Sequence, residues 1–150
     1  MAKIISAGFA VLSKDNKILL GKTSKYNEKG SWTIFKGQKE EGETLIDTAI
    51  RELMEESGID IISDNRLNSN TSSSPFYSFG INDKTVFVYL LQDKEGALDG
   101  YKFVCDSFFG DDQPEISEYG WFTIEEALNK VYPSQRGLIE KIINMLKIMR

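Results

Sequence analysis

Histidine is absent from this chain, and cysteine occurs once, at Cys105. Without an imidazole, neither a Ser-His-Asp triad nor a Cys-His pair can be assembled. A single thiol closes no internal disulfide, so a reducing, cytoplasmic setting is expected. The neighbours Phe103, Val104, Phe108 and Phe109 predict a half-buried strand thiol at Cys105. An excess of basic charge is missing too: 18 Lys and Arg stand against 23 Asp and Glu, for a net charge of −5 and a pI of about 4.9. That balance argues against broad binding to DNA, RNA or an anionic membrane, while a local basic rim can still hold a short nucleic-acid end. No run reaches the roughly 18 apolar residues needed to span a bilayer. The apolar stretch Ile4 to Leu12 follows a single lysine and runs into Lys14-Asp15-Asn16-Lys17, a turn composition. It reads as a strand with Lys17 to Lys22 as hairpin partner, not as a signal peptide.

What is present is a cluster of acids. Gly37 is followed after five residues by Glu43, and after seven more by Arg51-Glu52-Leu53-Met54-Glu55-Glu56-Ser57-Gly58-Ile59. At about 100° per residue, Ile46, Ala49, Ile50, Leu53 and Met54 fall on one arc of a helix. Glu52, Glu55 and Glu56, spaced i, i+3 and i+4, share the other side. Thr44 is the candidate N-cap, with Asp47 three residues on resembling a capping box, and Gly58 suits the C-terminal stop. Like charges so placed repel, and a divalent cation is the simplest offset. Oxygen donors without histidine or cysteine suit magnesium, with manganese as substitute, rather than zinc. Magnesium binds jointly to carboxylates and substrate phosphates, which makes a phosphoanhydride the natural substrate. The Gly37 carbonyl is a further donor, since glycine allows close backbone approach.

Residues 37–59 resemble the signature of the Nudix hydrolases, G-x5-E-x7-R-E-U-x-E-E-x-G-U with U apolar, at every specified position. The resemblance implies an α/β/α sandwich with a mixed sheet between helices, and metal ligation by Glu52, Glu55 and Glu56 with the Gly37 carbonyl. It gives Glu43 and Arg51 a supporting role through ion pairs. Several relatives place a glutamate about six residues before a position like Trp121. That makes Glu115 a further metal ligand and the candidate general base, with Glu118 and Asp112 as competitors and Glu55 or Glu56 as the family's other option. Many members carry proline where this chain has Phe35. Lys36-Gly37 resembles the subgroup that cuts dinucleoside polyphosphates, inositol pyrophosphates and RNA 5′ caps, with Lys36 as a point charge for phosphate.

The expected activity is therefore magnesium-dependent cleavage of the diphosphate linkage in a nucleoside diphosphate joined to another group. Dinucleoside polyphosphates, ADP-ribose or dinucleotide cofactors, and RNA 5′ ends lead the substrates. A nucleoside triphosphate pyrophosphatase is the rival within that chemistry, and a nucleotide-sensing module that binds without cleaving is the rival outside it.

The length and 41% apolar content predict one domain over residues 1–150. Strands are expected at Trp32 to Lys36, Asp60 to Ser63, Phe76 to Gly80, Thr85 to Gln92 and Tyr119 to Thr123. Loops are expected at Asn65 to Pro75 and Gly110 to Glu118. Thr123 with Glu126 predicts a capped short helix. Ser134 opens a last helix with Leu138, Ile139, Ile142, Ile143, Leu146 and Met149 on its apolar face. Tyr26, Phe35, Tyr77, Phe79 and Tyr132 have the π faces to stack on a base, and Arg136 and Lys22 the charge to meet a phosphate, although packing is the commoner role.

Overall fold

A computed structural model describes residues 3–23, 32–109 and 113–148. The expectations at Tyr26, Asp112 and Met149 lie outside the described residues.

The framework is built on strand β1, Ile4–Leu12. Its seven residues Ser6 to Leu12 are all buried, as a strand covered on both faces requires. It pairs in parallel with β6 (Lys84–Gln92) over nine residues, from Ile4↔Lys84 to Leu12↔Gln92. On its other side β1 splits its pairing. Ser6 to Phe9 face β4 (Phe35–Gln38), and only Val11 and Leu12 reach β2 (Ile18–Thr23). The sheet therefore forks. β2 carries β3 (Trp32–Thr33) and β9 (Ile116–Phe122) on one prong, while β5 (Tyr77–Ile81) closes the far edge beside β6. The short strands β7 (Phe108–Phe109) and β8 (Gln113–Pro114) pair with each other outside this sheet.

Alternation along β1 gives each face its own helices. Ala7, Phe9 and Val11 pack with Ala49 and Leu53 of α1 (Leu45–Ser57). Ala10 and Leu12 pack with Ile124 and Ala127 of α3 (Ile124–Lys130) and with Leu138, Ile139 and Ile142 of α4 (Arg136–Ile148). The result is the expected α/β/α sandwich around a mixed sheet. Among the described residues no helix is long and apolar enough to cross a membrane.

Local signals held where the chemistry was self-contained. Thr44 and Asp47, and likewise Thr123 and Glu126, form reciprocal capping boxes, and Gly58 ends α1 in the left-handed region at φ 79°. Several expectations are corrected. Asp60 to Ser63 is a turn, because the Asp60 carboxylate accepts the amides of Ile62 and Ser63 and the Ser63 hydroxyl. The expected loop after it holds a four-residue helix, α2 (Asn65–Asn68), capped by Asp64. Gly37 lies within β4, opposite Ala7, past the strand end expected at Lys36. Cys105 is half-buried as expected, but in irregular chain, where its thiol donates to the Ser107 carbonyl. Met54 is 46% exposed, outside the apolar contact of its helix. A 3-10 turn, Pro133–Gln135, precedes α4, which starts at Arg136 instead of Ser134.

Candidate functional site

The acidic helix is fixed at both ends before any ligand arrives. The carbonyls at its C-terminus are orphans of helix geometry and need outside donors. They find them in the 101–106 segment and in β9. Asp106 N donates to Glu55 O, Val104 N to Ser57 O, the Tyr101 hydroxyl to Gly58 O and the Tyr119 hydroxyl to Glu56 O. This collar holds the last turn of α1, and so Glu52, Glu55 and Glu56, against the fork in the sheet.

Arg51 organises the acids on the outer side. Its Nε donates to Glu43 Oε2 at 2.7 Å and its Nη2 to Glu43 Oε1 at 3.0 Å, a bidentate pair. Nη2 also reaches the Gln38 carbonyl at 3.0 Å, which ties the helix to the end of β4. Nη1 meets Glu55 Oε1 at 3.1 Å and Glu52 Oε1 at 3.4 Å. The Arg51 hydrogen bonds hold the Glu43 carboxyl down at about 2, against an ordinary 4.5. The repulsion for which a cation was the simplest sequence-based offset is thus already countered in part by this guanidinium.

Glu52 and Glu56 turn inward, to β4. Glu52 is 9% exposed, and its carboxylate lies directly against Gly37, where a Cβ would overlap its oxygens. Only glycine permits that approach. Glu56 is 6% exposed and accepts the Lys36 amide at 2.9 Å. Burial pushes Glu52 to about 7, with repulsion from Glu55 adding to it and Arg51 opposing it. Glu56 is raised well above 4.5, first by burial and then by Glu52, against the Lys36 amide. Burial lowers the Lys36 ammonium, Lys84 lowers it further, and Glu56, Glu52 and Glu115 oppose the shift. Two carboxyls held above their ordinary range and a lysine held below it share one spot, a pattern frequent at functional sites.

Lys36 and Glu56 border a cavity of about 790 Å³. Lys36, Gly37, Glu56 and Glu115 line one end. Phe79, Ile81 and the turn Asn82-Asp83-Lys84 supply another wall, and Thr23, Thr33, Tyr132 and Gln135 a third. Gln135 is a fixed strut there. Its Oε1 accepts the Ile34 amide at 3.0 Å and its Nε2 donates to the Thr33 hydroxyl at 2.8 Å, which secures the chain between β3 and β4.

The expected site residues separate as follows. Lys36, Gly37, Glu52, Glu56 and Glu115 come together. Glu55 is held on Arg51, and among the described residues no three acids stand close enough to ligate one ion as placed. Glu118 is exposed on β9, opposite Lys22, and is not among the residues lining the cavity. Phe79 and Tyr132 face the cavity, whereas Phe35 is wholly buried and the Tyr77 hydroxyl rests on Gly137. The Arg136 guanidinium is taken up by the Leu128 carbonyl. Lys84, Thr33 and Gln135 were not foreseen. For Lys84 a signal existed, since the lysine directly follows the Asn82-Asp83 turn and leads into β6.

The donors present fit a hard divalent cation in kind. All are oxygens, two of the carboxylates are poorly solvated and clustered, and Gly37 leaves its backbone open to them.

The family model for the NUDIX domain matches residues 2–142. No curated protein matches the chain. Among solved structures, it is similar to a C. elegans Ap4A hydrolase in a binary complex, with 21% identity, a TM-score of 0.68, and coverage of 96% of this chain and 98% of that one. An E. coli dihydroneopterin triphosphate pyrophosphohydrolase gives 22%, 0.67, 96% and 99% in the same order. The NUDIX domain of Shewanella oneidensis NrtR, complexed with ADP ribose, gives 16%, 0.69, 97% and 90%. At such identities these likenesses speak to the fold.

Proposed function

The chain belongs to the NUDIX domain family, hydrolases of phosphoanhydride bonds, and from that premise we propose that it cleaves a nucleoside diphosphate linked to a second group. Dinucleoside polyphosphates come first among the substrates, then ADP-ribose or dinucleotide cofactors and RNA 5′ ends. The observation that carries the reading is one shared cavity in which Lys36, Gly37, Glu56 and Glu115 adjoin walls carrying Phe79 and Tyr132. One end suits a diphosphate and the other a nucleoside.

Members of the family generally use a divalent metal, typically magnesium. Here Glu52, Glu55, Glu56, Glu115 and the Gly37 carbonyl would hold it. Bound there, it would neutralise phosphate charge and acidify the attacking water. The protein's own part is positional. Lys36 draws a phosphate toward the carboxylates, and the walls bearing Phe79 and Tyr132 receive the base. Glu115 takes the proton of the water as its oxygen bonds to phosphorus. The bridging P–O bond breaks as that bond forms, releasing a nucleoside monophosphate and a phosphorylated remainder. Glu43 and Arg51 keep α1 and β4 in register.

Incubation with magnesium and a panel of dinucleoside tetraphosphate, ADP-ribose, nucleoside triphosphates and capped RNA, followed by product chromatography, tests this. Release of a nucleoside monophosphate from a linked substrate, faster than pyrophosphate from any triphosphate, is expected. Preferred cleavage of a triphosphate would point to the pyrophosphatase. Tight binding with no turnover would point to a sensing module.

A further inference from the structure

Glu56 and Glu115 line the same cavity from separate pieces of chain, one on α1 and one just before β9. The register of β9 on β2 shifts by one residue between Lys22↔Glu118 and Thr23↔Ile116. Such a shift interrupts the ladder and lets the strand bend. Pairing at Tyr119, opposite Gly21, therefore does not by itself fix Glu115 four residues upstream.

Two links to α1 do so instead. On one side the Glu115 amide donates to the Ser107 carbonyl at 2.7 Å, and the amide of neighbouring Asp106 donates to the Glu55 carbonyl at 2.6 Å. On the other side the Tyr119 hydroxyl donates to the Glu56 carbonyl. The path from Asp106 across the Ser107–Glu115 bond to Tyr119 thus closes on consecutive residues of the acidic helix. Every hydrogen bond in this ring is backbone to backbone except the one that Tyr119 makes. The Tyr119 ring packs on Phe103 and Phe35, with centroids 5.5 Å and 6.0 Å away. Phe35 directly precedes Lys36, whose amide donates to the Glu56 carboxylate at 2.9 Å. Glu56 is accordingly held at both ends, by Lys36 at its carboxylate and by Tyr119 at its main chain.

We propose that Tyr119 is a positioning residue, whose hydroxyl sets Glu56 against Glu115 so that the two acids serve one divalent cation. This rests on the proposed function in one respect, that these acids hold the metal.

Tyr119→Phe removes the hydroxyl and keeps the ring contacts. Manganese binding without nucleotide, followed by electron paramagnetic resonance, should weaken about threefold to tenfold, the scale of one hydrogen bond. With saturating magnesium, kcat on the nucleotide that the wild type cleaves should fall about tenfold while KM stays within about twofold. Thr71→Val is the control. It deletes a bond of the same kind, from the Thr71 hydroxyl to the Leu67 carbonyl at 3.1 Å, outside the cavity walls. Both variants should lower Tm by a few degrees, and Thr71→Val should leave manganese binding and kcat unchanged. Unaltered manganese binding in Tyr119→Phe, or an equal loss in Thr71→Val, overturns the proposal, as does a wild type that binds no manganese. If the wild type binds manganese but cleaves no nucleotide, the catalytic reading fails, and the manganese affinities alone decide for or against Tyr119.

Discussion

Replacing Glu52 with glutamine should make the metal-free protein more stable, although the residue belongs to the catalytic cluster. Its carboxyl is buried against Gly37 and displaced from an ordinary 4.5 to about 7. Because the folded value lies above the unfolded one, the stability linked to this group is complete below 4.5. It is lost as pH rises through about 7. At 1.36 kcal/mol per pH unit the full loss is on the order of 3 kcal/mol. Glutamine forfeits the Arg51 contact at 3.4 Å, which returns part of the gain. For a chain of this size the remainder corresponds to a rise in Tm of roughly 5–8 °C at pH 8. Thermal unfolding followed by circular dichroism in EDTA measures it directly. The advantage of Glu52→Gln should be greatest at pH 8 and shrink toward nothing near pH 4.5. Magnesium should then stabilise the wild type and not the variant, since only a ligand of the folded state raises Tm. A variant melting at or below the wild type at pH 8 would refute the account of Glu52 as a group held at a cost for function.

Three further outcomes follow from the same geometry. Gly37→Ala puts a Cβ into the Glu52 carboxylate, so kcat should drop about a hundredfold while Tm moves by only a few degrees. A steady-state assay beside a melt checks both. Arg51→Lys keeps the charge but cannot serve Glu43, Glu55 and the Gln38 carbonyl together, and should lower unfolding free energy by about 1–3 kcal/mol in urea titrations. Glu43 is depressed to about 2, so its stabilising share is whole above 4.5 and vanishes as pH falls toward 2. Glu43→Gln should flatten the acid limb of the stability profile, and parallel limbs would rule out that pairing.

The parts of the site legible in the sequence are those whose geometry is local. Glu52 and Glu56 are one helical turn apart, Thr44 caps through Asp47, and Gly58 supplies positive φ; spacing alone encodes all of these. The contact of Gly37 with Glu52 was legible only as a glycine where close approach was needed. Misses arose where a partner lay far along the chain or a side chain outcompeted the strand pattern. A strand was expected at Asp60 to Ser63, yet the Asp60 carboxylate captures the local amides as a turn. Lys84 follows a legible turn, but its place on the cavity comes from parallel pairing with Ile4, eighty residues away in sequence, which no periodicity reports. Gln135 bonds across a hundred residues to Ile34, and a lone glutamine announces nothing. The acids themselves were expected to converge on a cation, and in the fold Arg51 claims Glu55 first.

The most direct test of the central claim is turnover by the Glu55→Gln, Glu56→Gln double variant, assayed with magnesium on whichever linked nucleotide the wild type cleaves. A folded variant with kcat reduced on the order of a thousandfold or more is the predicted result. A folded variant within about tenfold of wild type would contradict the assignment of hydrolysis to this helix.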